Sequence, residues 1–131
     1  MNTILLIPTG EGVGLTSACL GMIYALDCNG IKAGFLKPFS QEDQEHLDRT
    51  TSLFGHLFQG KTVQSISHEK LTQLIAAGEV DELLEEAVSL HRSVAADHDV
   101  IIVEGLLPNG QDHFASELNA SLAQALDAEV V

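Results

Sequence analysis

Apolar and polar positions along the chain alternate between short continuous runs and longer stretches with helical spacing. Residues 3–7, TILLI, form a short, mainly apolar run that leads into a glycine-rich segment, the pattern of a buried strand feeding a loop. Over 16–28, Cys19, Leu20, Ile23, Tyr24 and Leu26 follow a helical period, and Asn29-Gly30 supplies the stop. IKAGFLKPF then reads as a second strand, ended by Pro38, which constrains its predecessor and has no N–H to donate. Strand, helix and strand within forty residues make a βαβ unit, which favours a parallel sheet.

The middle is less regular. SQEDQEHLDRT is polar and reads as a loop, with a helix over about 47–58. Residues 67–77 carry helical spacing at Leu71, Leu74 and Ile75, stopped by Gly78. A strongly amphipathic helix is expected over about 80–96. Its apolar face is Leu83, Leu84, Ala87, Val88, His91, Val94 and Ala95, opposite Asp81, Glu82, Glu85 and Glu86. Acids in its first turns suit the positive end of the helix dipole. Residues 100–103 form a third buried strand, followed by Glu104-Gly105. A helix over 114–126 follows, with Leu118, Leu122 and Ala125 along one side, and AEVV reads as the start of a fourth strand. A domain seldom ends inside a buried strand, so residues 1–131 are expected to be a piece of a longer protein.

The expected architecture is a three-layer α/β sandwich with a mainly parallel sheet. In such sheets ligands bind beyond the carboxyl ends of the strands. Three features fall there: the loop from Pro8 to Thr16, Lys37-Pro38 and Glu104-Gly105.

Totals narrow the function classes. Six Lys and Arg against nineteen Asp and Glu give a formal charge of −13, which repels nucleic-acid backbones and anionic lipids alike. Neither nucleic acid nor a membrane is an expected partner. No apolar run approaches the roughly 20 residues that cross a bilayer, and the N-terminus has no secretory signal, so the expected location is cytoplasmic. Cys19 and Cys28 form neither a CxxC nor a metal spacing, and buried reduced thiols are expected. His46, His56, His68, His91, His98 and His113 form no ligand pair, and solvated surface positions are expected for them.

The chemistry concentrates in PTGEGVGLTS, residues 8–17. A phosphate-cradling loop needs glycines so that backbone N–H groups can point inward at close range. Gly10, Gly12 and Gly14 supply that freedom, and Thr16 and Ser17 are candidate hydroxyls for a phosphate oxygen or Mg²⁺. The strict pattern GxxxxGK[ST] fails twice, with Thr9 at its first position and Leu15 where the lysine belongs. A missing unit charge about 6 Å from a phosphate forfeits roughly 3 kcal/mol at an effective dielectric of ~20. That is about a hundredfold in affinity. Glu11 adds negative charge to the same loop. By itself the segment fits a tight turn into a helix as well as it fits a phosphate cradle. Lys37 is either the replacement cation or a surface lysine. Glu104 is a Mg²⁺-side acid or a solvated strand-end carboxylate, and Asp48 a metal-side acid or a helix-start charge.

Taken together, ILLIPTGEGVGLTS, FLKPFSQ, LDRTT, DELLEEAVSLH and IIVEGLLP with FASELNASLAQALDAEVV resemble the N-terminal domain of long-form bacterial phosphate acetyltransferase, over nearly the whole chain. More distantly the chain is similar to dethiobiotin synthetase and the cobyrinic acid amide synthases, P-loop-type proteins that keep a lysine in VGKT. The resemblance implies that the full enzyme interconverts acetyl-CoA plus phosphate and acetyl phosphate plus coenzyme A. It places catalysis and coenzyme A in a C-terminal domain that partners this one. The N-terminal domain would be regulatory, would support a homo-oligomer, and would answer to a nucleotide or other small-molecule effector, with Mg²⁺ only if a nucleotide binds. By the more distant resemblance to dethiobiotin synthetase, Thr16 matches a Mg²⁺/phosphate hydroxyl, Lys37 a second-strand lysine, Glu104 a strand-end metal acid and Asp48 an acidic position. No catalytic residue is expected in the chain. The alternatives are an ATP-dependent ligase of the dethiobiotin synthetase class and a purely structural oligomerisation scaffold.

Overall fold

In the computed structural model the described residues are 2–7, 15–40, 49–58, 62–96, 98–107 and 114–131. Their elements run β1 (Asn2–Leu6), α1 (Leu15–Cys28), β2 (Ala33–Leu36), α2 (Arg49–Phe58), α3 (His68–Ala76), α4 (Val80–Ala95), β3 (Val100–Glu104), α5 (Ala115–Leu126) and β4 (Glu129–Val130). The four strands form one parallel sheet in the order β2-β3-β1-β4.

Side-chain alternation along the strands sorts the core into two layers. Leu5, Leu36, Ile101 and Val103 face α3, α4 and α5, where Leu71, Leu83, Ala87, Val94, Leu118 and Leu122 pack against them. Leu6, Ala33, Phe35 and Ile102 face α1 and α2, meeting Cys19, Ile23 and Phe54. Phe54 is the centre of an aromatic row, with ring centroids 6.0 Å from Phe35 and 5.7 Å from Phe58. The expected three-layer α/β sandwich is the observed one.

Helix ends follow local chemistry. Gly30 and Gly78, at φ +75° and +73°, take the left-handed turns that close α1 and α3. Ser67 caps α3 by accepting from the backbone N–H of Lys70.

Several sequence expectations need correction. Cys28 is exposed although Cys19 is buried. Nine residues at 100° per residue put the two thiols on opposite sides of α1. Tyr24, one turn before Cys28, shares the outer side and is 62% exposed. Ala125 is exposed because the buried stripe of α5 runs through Ala115, Leu118, Asn119, Leu122 and Leu126, leaving Ala125 at its edge. β4 is a strand as expected, pairing in parallel with β1, but its residues are exposed rather than buried. His91 and His98 are not solvated surface residues. His91 Nε2 lies 2.9 Å from Thr3 Oγ1, and His98 Nδ1 lies 2.7 Å from the Val94 carbonyl oxygen. His56 is exposed as expected, whereas His46 and His113 lie outside the described residues.

Candidate strand-end functional site

The connections leaving β1 and β3 set the position of the site. β1 runs toward α1 on one face of the sheet, and β3 toward α5 on the other. Neighbouring strands whose connections part to opposite faces leave a crevice beyond their carboxyl ends, where open α/β sheets bind ligands. The last residues of the two strands, Leu6 and Glu104, are register partners at the edge of that crevice.

Glu104 shares its parity with Ile102, so its side chain falls on the α1 and α2 face. It is buried, and its Oε2 lies 3.3 Å from the Lys37 Nζ; the side chains are 6% and 19% exposed. Lys37 follows β2 directly, on the far side of β3 from β1. Two strand ends thus bring together two of the charges singled out in the sequence. Neither is a solvated surface group.

The neighbouring chain holds both residues in place. Beside Lys37, the Ser65 hydroxyl donates to the Lys37 carbonyl, and Ile66 N–H donates to the Pro38 carbonyl at 2.8 Å. Ser40 N–H donates to the Ile66 carbonyl at 2.9 Å, so residues 38–40 and 66 form a short parallel bridge beyond β2. Beside Glu104, Gly105 N–H donates to the Leu6 carbonyl at 2.8 Å. Asn119 of α5 accepts from Leu106 N–H and donates to the Leu106 carbonyl, both at 2.8 Å. Sequence reasoning missed Asn119, since an isolated Asn inside a helical stretch carries no spacing signal. A polar residue in the otherwise apolar stripe Leu118, Leu122, Leu126 was the one available clue.

Cys19 forms part of the floor. Burial pushes its thiol pKa up to about 12; the negative Glu104 adds to the rise and the Lys37 ammonium opposes it. The thiol therefore stays protonated and adds no charge to the pair.

Leu15 opens α1, and Thr16 and Ser17 follow in its first turn, with Ser17 exposed. Gly10, Gly12, Gly14, Glu11 and Asp48 lie outside the described residues. No group of three His, Cys, Asp or Glu placed to hold a metal occurs among the described residues. A Mg²⁺ here would have Glu104 as its described carboxylate, a donor type suited to that hard cation. The pair can thus present one cationic and one anionic group side by side. Among the described residues no helix is long and apolar enough to cross a membrane.

Comparison with known proteins agrees with this architecture. Residues 2–131 match the family model AAA_26, described as an AAA domain. The chain is 82% identical over 131 residues to the phosphate acetyltransferase of Acinetobacter baylyi, covering 100% of this chain and 18% of that protein. It is 41% identical over 133 residues to the phosphate acetyltransferase of Pseudomonas aeruginosa, covering 100% of this chain and 19% of that protein. The Escherichia coli phosphate acetyltransferase is 34% identical over 131 residues, with 98% and 18% covered. The chain thus spans under a fifth of the length of these curated relatives.

Proposed function

The chain belongs to the AAA_26 family of AAA domains, and from that premise we propose that it is a regulatory domain of a phosphate acetyltransferase. The whole protein would interconvert acetyl-CoA plus phosphate and acetyl phosphate plus coenzyme A in the cytoplasm. Acetyl transfer and coenzyme A would belong to a separate catalytic domain of the same chain. This domain would contribute a sensing site for a phosphate-bearing metabolite and contacts within a homo-oligomer.

The observation that carries this reading is the Lys37–Glu104 ion pair beside a helix that opens with leucine. Phosphoryl transfer relies on cations aimed at the charge developing on the phosphate. At the lysine position of the loop pattern stands Leu15, and the strand-end cation Lys37 faces a buried carboxylate. Such a site favours binding over turnover. The names of the relatives and their identity over the whole chain support the parent activity.

Two measurements test the proposal. The isolated 131 residues should form no acetyl phosphate from acetyl-CoA and phosphate under conditions in which the full-length protein does. Activity in the isolated chain would overturn the assignment of catalysis to another domain. Titrating the full-length protein with ATP or NADH, both phosphate-bearing, should raise its thermal stability in proportion to occupancy. If neither binds, the domain is a scaffold rather than a sensor.

A further inference from the structure

The outward face of α4 carries a row of charges. At about 100° per residue, Asp81, Glu85 and Arg92 fall within about 40° of one another around the helix, the two acids preceding the base. All three are exposed, and none forms a salt bridge among the described residues. Glu86 differs, since its carboxylate meets the Lys70 ammonium of α3 at 2.8 Å. Beside the row, the half-buried Leu84 and Val88 and the exposed Ala125 of α5 complete an open groove of about 440 Å³.

The order of the charges decides what fits the groove. A basic partner would satisfy Asp81 and Glu85 but meet Arg92 with like charge, and an acidic partner would do the reverse. Both ends are satisfied only by a surface with a cation facing the acids and an anion facing the arginine. A second α4 laid antiparallel across the first has that order. Glu85 and Arg92 lie about 10.5 Å apart along the helix axis. A two-fold axis midway between them sets Arg92 of each copy against Glu85 of the other. Val88 then falls beside the axis, and the helix dipoles oppose one another. A chain of formal charge −13 repels its own copies, so they meet best on a face that carries both signs.

We infer that the groove between α4 and α5 is a contact between two copies of this chain, closed by reciprocal Arg92–Glu85 pairs around Leu84 and Val88. The inference rests on the homo-oligomer proposed above and names a surface that it uses. Exposed ion pairs contribute little to strength, whereas their placement fixes register and orientation. The apolar strip between the pairs supplies the area removed from water.

The test is carbodiimide cross-linking of the full-length protein, co-expressed as two differently tagged copies. One copy carries Arg92→Lys with Glu85→Gln and the other is wild type, so an amide between positions 92 and 85 can form only across copies. Mass spectrometry of the digest should find that amide. Replacing Glu85→Gln by Glu85→Arg in the first copy sets like charges in the second pair and should lower the yield about tenfold. Arg92→Glu in the other copy should then restore it. These positions are exposed, so the variants leave the core untouched. An oligomer that gives no such amide overturns the groove contact and leaves the homo-oligomer standing. A yield indifferent to the charge swap overturns the two-fold pairing. A full-length protein that sediments as a monomer overturns the contact and the homo-oligomer together.

Discussion

Asn119 holds Leu106 by both of its peptide groups, accepting from the N–H and donating to the carbonyl at 2.8 Å each. The contact ties α5 to the turn that follows Glu104. It places the strand-end carboxylate through the backbone rather than by touching it. Leu106 is itself buried, so water cannot easily replace the lost partner. Asn119→Ala should therefore cost about 2–4 kcal/mol, two buried hydrogen bonds' worth. Urea unfolding measures it, and a loss below about 1 kcal/mol would mean that the turn keeps its shape without the amide.

Gly105 occupies the tightest point of the same turn. A Cβ there would lie 2.9 Å from Asn119 Oδ1, the atom that accepts from Leu106. Gly105→Ala should destabilise by about 1–3 kcal/mol, the range for overpacking. Asn119→Ala removes the atom that the new methyl would meet, so Gly105→Ala with Asn119→Ala should cost clearly less than the sum of the singles. Strict additivity in a double-mutant cycle would show that the alanine is accommodated elsewhere.

His91 predicts an acid-sensitive link between α4 and the central strand. Partial burial lowers its pKa from the ordinary 6.5, while Thr3 lies within hydrogen-bond distance. The unfolded chain then binds a proton more readily than the folded one below that value. Stability should be full above pH 6.5 and fall as the pH drops from there toward the lowered folded pKa, levelling below it. His91→Phe should flatten this segment of a stability–pH profile measured by urea unfolding. An unchanged slope would assign the effect to other groups.

The two cysteines should report opposite environments. Cys28 is exposed, whereas Cys19 is buried with its thiol pKa pushed up to about 12. The native 131-residue chain should titrate one thiol rapidly with a disulfide reagent at pH 8, and the second should appear only on unfolding. Two fast thiols in the native state would mean that α1 opens readily from the sheet.

Breaking the central ion pair from one side should cost more than removing it whole. Lys37→Met takes the ammonium away from the buried Glu104 and should cost about 3 kcal/mol, the lower end for breaking a buried pair from one side. Lys37→Met combined with Glu104→Gln should recover most of that loss. Thermal unfolding of the three proteins decides the point, and a double variant no better than the single would show that the pair is held by more than charge.

The elements were readable because hydrophobic spacing is a local property. The run TILLI, the helical stripe of Leu83, Ala87 and Val94, and the stops at Gly30 and Gly78 each lie within a few residues of the structure they produce. Errors arose where spacing alone was asked for direction. Tyr24 and Ala125 fit a helical period, yet which side meets the sheet depends on the neighbouring layer. His91 looked like a surface residue because its partner Thr3 lies 88 residues away and meets it only once α4 is laid on the sheet.

The sequence by itself determined an α/β chain with a parallel sheet, a glycine-rich segment after the first strand, Leu15 in place of a lysine, and charges at two strand ends. Only the tertiary structure decided that Lys37 and Glu104 meet. They are separated by 67 residues, and no local pattern spans that interval. The order β2-β3-β1-β4 sets their strands side by side, and the parallel register Leu36↔Val103 brings the two ends level. Strand order and register are set by packing both layers of helices at once. That is why two charges with separate readings in the sequence become one buried pair in the fold.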